Sequence, residues 1–157
     1  MIDSVAGLSI SEILIDSARE VFETMIFMSV EETFDDDLIS DEESIAASIM
    51  FKGEINGGMA INCSNQSAKE ITANMLAIES GEEIPEADIT DAMGELANLV
   101  MGSIKTRIFS EYCDIQVSIP SIISSSQMRD KTADGEEVSI ALELDGTSLA
   151  KVLIWSY

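Results

Sequence analysis

"SIAASIMFKGEINGGMAINCS", residues 44–64, holds two apolar-rich runs around Asn56-Gly57-Gly58. Runs of strand length that flank an Asn-Gly turn signal read as a β-hairpin. The helical patterns on either side of it then decide the fold class. Upstream, residues 9–29 place Leu14, Ala18, Val21, Met25 and Met28 on one face at helical period, with Ser11 as the start signal. "EETFDDDLISDEES" (31–44) is acidic and reads as a solvated connection. Downstream, Ser67 and Glu70 have capping-box spacing, which predicts a helix from 68 to about 79 that stops at Gly81. Pro85 suits the first turn of the next helix, because its missing N–H has no partner there anyway. That long helix is expected to end near Phe109.

"CDIQVSIP" (113–120) puts Cys113, Ile115, Val117 and Ile119 on one side, the pattern of a half-buried strand ended by Pro120. "SIISSSQMRDKTADGE" (121–136) reads as a loop, and "SIISSSQM" within it as either an interface segment or a core-facing loop. "EEVSIALEL" and "TSLAKVLIWSY" are two further strands joined at Asp145-Gly146. The order helix, hairpin, helix, helix, strand, hairpin predicts an α+β fold: a two-layer sandwich of long helices on an antiparallel-rich sheet. With 157 residues the chain is expected to form a single domain over 1–157. A weak internal repeat runs through it. Shifted by 75 residues, "IDSAREVFETMI" (15–26) lies over "TDAMGELANLVM" (90–101), so Asp16 meets Asp91, Glu20 meets Glu95 and Glu23 meets Asn98.

Charge and composition exclude several functions. The chain carries 30 acids against 8 bases, a formal net charge of -22. Phosphate-backbone binding needs Lys and Arg to displace counterions, so nucleic acid is not an expected partner. An anionic membrane surface is disfavoured for the same reason. Such a charge favours solubility and a protein partner with a basic patch, and a generally acidic proteome explains it at least as well. The N-terminal stretch contains Asp3, Glu12 and Asp16 before its first base, Arg19, unlike a secretory signal. No apolar run approaches the ~20 residues of a membrane span. Cys63 and Cys113 read as buried thiols of a reducing cytoplasm. Histidine is absent, which removes Ser-His and Cys-His nucleophile pairs and His-assisted zinc sites.

Within the long helix, "DAMGELANLVMG" (91–102) shows two faces. Ile89, Met93, Leu96, Val100 and Ile104 fall within about 80° of one another and form the core stripe. Asp91, Glu95, Asn98 and Gly102 cluster opposite, towards solvent. Glu95 can accept hydrogen bonds and pair with a lysine, whereas Asn98 offers an acceptor and donors and can hold an oriented water. Gly94 and Gly102 each cost ~1 kcal/mol relative to alanine in a helix. Their bare backbone would admit a partner's backbone beside Glu95 and Asn98, or a neighbouring helix of the same chain. Three polar residues on an exposed helical face are, by themselves, usually solvated surface.

Asp91-x3-Glu95-x2-Asn98 followed by Pro120 resembles the signature of the CheC/CheX/FliY family of chemotaxis phosphatases. The helical part fits residue for residue, while the family's proline falls one residue later, where Ser121 stands. The order of elements is similar to the family over nearly the whole length. One complete motif with a degenerate first copy (Asp16, Glu20, Glu23) is most like the CheX branch. The absence of an N-terminal flagellar-switch peptide or appended switch domain argues against FliY.

The resemblance implies hydrolysis of the aspartyl-phosphate on a phosphorylated CheY-type response regulator, in the cytoplasm. Glu95 would contact the regulator's active-site lysine, and Asn98 would orient the attacking water. Asp91 would support that face or touch the regulator at its edge, and Pro120 would shape the loop beside the helix. No metal or cofactor is expected on this chain, because the regulator's own carboxylates would hold Mg²⁺. A homodimer formed through the sheet is implied too. The alternative is a non-catalytic module of the same fold that docks a regulator or a flagellar switch component.

Overall fold

The computed structural model describes residues 4–5, 8–34, 44–79, 81–108 and 114–157. Its first half runs β1 (Ser4–Val5), β2 (Leu8–Ser9), α1 (Ile10–Val21), β3 (Val30–Thr33), β4 (Ser44–Gly53), β5 (Gly57–Ser64) and α2 (Asn65–Leu76). The second half runs α3 (Glu86–Ile108), β6 (Ile115–Val117), β7 (Ser121–Ile123), α4 (Ser125–Thr132), β8 (Glu136–Leu144) and β9 (Ser148–Ser156). Strands β3-β8-β9-β5-β4-β6 form one antiparallel sheet in that spatial order, and β7 pairs with β4 beyond β6. Exchange of β3 with β6, β4 with β8 and β5 with β9 leaves this order unchanged, so the two halves are related by a pseudo-twofold axis. The repeat between α1 and α3 thus extends to the sheet. Its second copy is lengthened by β7 and α4 ahead of the hairpin, which blurs the repeat in sequence.

Alternation along the strands makes one sheet face apolar. Ala47, Ile49, Phe51, Met59, Ile61, Cys63, Ile140, Leu142, Val152 and Ile154 point to it and pack against Leu14, Ala18, Phe22, Ile71, Met93, Leu96 and Val100 of the helices. This is the α+β sandwich the pattern predicts. A small cap is added on the opposite face. There Met128 of α4 covers Ala46, Ala60, Leu153 and Trp155. No helix among the described residues is long and apolar enough to cross a membrane.

Several local expectations are corrected. Helix α1 starts at the Ser9 cap, whose side chain accepts from Glu12 N–H, rather than at Ser11. It does not continue as α-helix to residue 29 but passes at Phe22–Ile26 into a π-turn. The wider turn buries Phe22 and Ile26 and swings Met25 out to 49% exposure, and the chain leaves through a left-handed Phe27. The acidic connection begins as strand β3, which pairs with β8, and residues 35–43 of it lie outside the described residues. Helix α2 is capped by Ser64, whose oxygen accepts from Ser67 N–H; it ends at left-handed Ala77, before Gly81. Thr72 O–H and Ala68 C=O bond inside it, while Glu70 accepts instead from the Ser148 hydroxyl.

Asn56 ends the hairpin turn, but Gly57 and Gly58 belong to β5. A Cβ on Gly57 would lie 1.9 Å from the Trp155 carbonyl oxygen, and one on Gly58 would lie 2.3 Å from the Trp155 ring. Strand β6 is short: Ile115 is buried, but Val117 and Ile119 are exposed, and Cys113 lies outside the described residues. The 121–136 segment is not a loop. It contains β7 and then α4, which carries a complete capping box between Ser124 and Gln127.

Candidate functional site

Helix α3 sets the site. The Pro85 carbonyl accepts from Asp88 and Ile89 N–H to start it, and Glu86 and Asp88 near its N-terminus with Lys105 and Arg107 near its end suit the helix dipole. Met93, Leu96, Val100 and Ile104 are fully buried, and Ile89 packs at the edge of the core. The register of that stripe turns Asp91, Glu95 and Asn98 outward, where all three are exposed. Successive separations of four and three residues stack them on one face. None of the three side chains has a hydrogen-bond or ion-pair partner among the described residues.

The opposite wall comes from the β6–β7 connection. Pro120 leans over Gly94, whose Cβ position is 3.4 Å from the Pro120 ring. Gly94 is therefore buried beneath a residue of its own chain, not beneath a neighbouring helix. Thr90, Asp91, Gly94, Glu95, Asn98, Pro120 and Ile122 together line an open groove of about 300 Å³. Its two ionisable groups are both carboxylates, and the Thr90 hydroxyl is already donating to Ala87 C=O at 3.0 Å. Asn98 is thus the lining side chain left free both to donate and to accept. Thr90 and Ile122 escaped the sequence reading. Thr90 could have been found one turn before Gly94, and Ile122 two residues beyond Pro120 on the same strand face, had β7 been recognised.

Gly102 lies apart from the groove, with nothing within 4 Å of its Cβ position. Alanine fits there and favours helix by about 1 kcal/mol. Gly102→Ala is expected to raise the melting temperature by roughly 2–4 °C in a scanning calorimeter. An unchanged or lower value would mean that the open space is not open in solution.

In the first copy the counterparts of Glu95 and Asn98 are engaged in exposed ion pairs. Glu20 accepts from Arg107 Nη1 at 2.6 Å and from Ser103 Oγ at 2.8 Å, and Glu23 in the π-turn pairs with Arg19 of α1 at 3.7 Å. The Arg107 hydrogen bond, helped by Ser103 and by the Arg107 charge, holds the Glu20 carboxyl below its ordinary 4.5. A depressed carboxylate stabilises the fold above its unfolded pKa and loses that contribution as pH falls through the folded value. The melting difference between wild type and Glu20→Gln is therefore expected near neutral pH and should vanish at a pH well below 4.5. It should be small, because the pair is exposed. A difference that persists in acid would contradict the assignment.

Elsewhere, burial pushes the Cys63 thiol up to about 12, which makes it a poor nucleophile. No group of three or more His, Cys, Asp or Glu side chains among the described residues is placed to hold a metal ion.

Comparison with known proteins adds the family. No curated protein matches the chain in sequence. Solved structures match its fold along nearly its whole length. A chemotaxis protein CheX from Vibrio vulnificus is 21% identical with a TM-score of 0.73, covering 98% of this chain and 100% of that one. A CheC-like superfamily protein from a Shewanella species is 23% identical with a TM-score of 0.73, covering 94% and 96%. A CheX-CheY-BeF3-Mg²⁺ complex from Borrelia burgdorferi matches at 14% identity and a TM-score of 0.70, covering 93% and 96%. The sequence model of the family described as chemotaxis phosphatase CheX matches residues 45–143, a span that contains α3, the groove and Pro120. By that match over more than half its length, the chain belongs to the chemotaxis phosphatase CheX family.

Proposed function

We propose that the chain dephosphorylates a CheY-type response regulator by docking it on the α3 groove. The observation that carries this reading is the grouping of Glu95 and Asn98, both exposed and unengaged among the described residues, beside Pro120 in one open groove. An open groove suits a protein substrate, whose phosphorylated aspartate is presented on its own surface.

Phosphoryl transfer asks a catalyst mainly for in-line positioning and electrostatic support. The Asn98 carboxamide oxygen accepts a hydrogen bond from the attacking water and fixes its direction. That water forms a new P–O bond as the P–O bond to the regulator's aspartate breaks, giving inorganic phosphate and a free carboxylate. Glu95 pairs with the regulator's lysine and sets the register of the complex. Asp91 meets the regulator at the groove's edge, and Gly102 offers it bare backbone about one turn beyond Asn98. Mg²⁺ held by the regulator's own carboxylates supplies charge neutralisation at the phosphoryl oxygens.

The reaction belongs in the cytoplasm with the regulator. A second copy of the chain would pair through the sheet, where Val117 is exposed on edge strand β6 and Ile119 is exposed just beyond it. The test is phosphate release from a phosphorylated CheY-type regulator in Mg²⁺ with sub-stoichiometric chain. Release faster than the regulator's own decay, over many turnovers, is expected. Unchanged decay with demonstrable binding would leave a docking module instead.

A further inference from the structure

The groove's far wall depends on a local irregularity. Strand β6 pairs Val117 with Phe51, and β7 pairs Ser121 with Ser48. Between those pairs β4 has only Ile49 and Met50, whereas the facing strand has Ser118, Ile119 and Pro120. One residue is extra, which makes this a β-bulge.

The hydrogen bonds show how it is held. Ser118 N–H donates to Met50 C=O at 2.8 Å, as in a regular ladder. The return bond is different: Met50 N–H goes to the Ser118 hydroxyl at 2.9 Å, not to the Ser118 carbonyl. The hydroxyl proton is donated onward to Ile119 C=O at 2.9 Å. A side-chain oxygen has replaced the backbone acceptor, so the chain can leave the ladder immediately after Ser118. Ile119 then turns out to 83% exposure, and Pro120 turns in onto Gly94.

We infer that Ser118 is a positioning residue for the groove: its hydroxyl holds the bulge that keeps Pro120 and Ile122 opposite Glu95 and Asn98. The inference rests on the phosphatase reading of that groove. Without the hydroxyl, Met50 N–H recovers an acceptor most directly from the carbonyl of residue 118. That regular pair draws the strand straight, and a one-residue slip reverses which face each following side chain takes. Pro120 then leaves Gly94, and the groove loses one wall while Glu95 and Asn98 stay on their helix.

The test compares Ser118→Ala with Ser118→Thr, which retains a hydroxyl. For phosphate release from the phosphorylated regulator, Ser118→Ala is expected to lower kcat/KM roughly tenfold, whereas Ser118→Thr stays within about twofold of wild type. The nuclear Overhauser contact between Gly94 Hα and the Pro120 ring should be present in wild type and Ser118→Thr and lost in Ser118→Ala. Because Ser118 is exposed, the global fold should survive both changes. Retention of the Gly94–Pro120 contact in Ser118→Ala would overturn the inference, and so would loss of the contact at an unchanged rate. A wild-type chain without phosphatase activity would overturn the reading of the groove, and the Gly94–Pro120 contact would still decide whether Ser118 holds the wall.

Discussion

Replacing Asn98 by alanine is expected to lower phosphate release by roughly 100-fold or more, since loss of a positioning or hydrogen-bonding group commonly costs that much. The fold should be unaffected. Asn98 is exposed, its side chain makes no bond among the described residues, and it gives way to a better helix former. The melting temperature should therefore stay constant or rise slightly while activity collapses. No other lining side chain can replace the lost group: Asp91 and Glu95 are carboxylates, and Thr90 is committed to Ala87. Glu95→Ala should cost less and appear partly in KM, because an exposed ion pair contributes modestly to docking. A normal rate with Asn98→Ala would remove the assigned role even if the chain proved to be a phosphatase.

The second large effect concerns stability. Gly57→Ala is expected to destabilise the chain by about 3 kcal/mol, the upper range for forced overpacking. The added methyl would sit 1.9 Å from the Trp155 carbonyl oxygen and 2.9 Å from Ser156 Cα, both backbone atoms of the neighbouring strand. Neither can move without opening the β5–β9 pairing on which the two halves of the sheet join. For a chain of this size the melting temperature should fall by roughly 6–12 °C. A shift below a degree or two would show that the two strands are not as close at this point as the structure has them.

These two residues also mark what was legible in the sequence. Asn98 was readable because its helix has an unbroken apolar stripe, and the buried set Met93, Leu96, Val100 and Ile104 fixes which face is wet. Both hairpins were readable from alternation and from the Asn-Gly and Asp-Gly signals. Gly57 was misassigned to the turn because its reason is not local. It is small to admit β9, more than ninety residues away in sequence. The π-turn at Phe22–Ile26 was hidden similarly, since 3.6-residue periodicity favours Met25 and only tertiary packing selects Ile26. Helix α4 was missed because it buries little more than Ser125 and Met128 and shows no stripe, although its Ser124–Gln127 capping box was present to be read. One wall of the groove was thus visible in sequence. Of the other, Pro120 was singled out but Ile122 was not, because their placement depends on a bulge defined by pairing with β4.

On the proposed function the α3 face receives the regulator and the α1 face does not. Glu20 on α1 and Glu23 in the π-turn after it already hold Arg107 and Arg19, whereas the Glu95 and Asn98 side chains hold nothing among the described residues. The direct test is a nuclear magnetic resonance titration of the labelled chain with a CheY-type regulator activated by beryllofluoride and Mg²⁺. Shifts or broadening are expected at residues 90–98 and 118–123 and at the Asn98 side-chain amide, with Asp16, Glu20 and Glu23 unmoved. Perturbation centred on α1, or none at saturating activated regulator, would contradict the proposed docking.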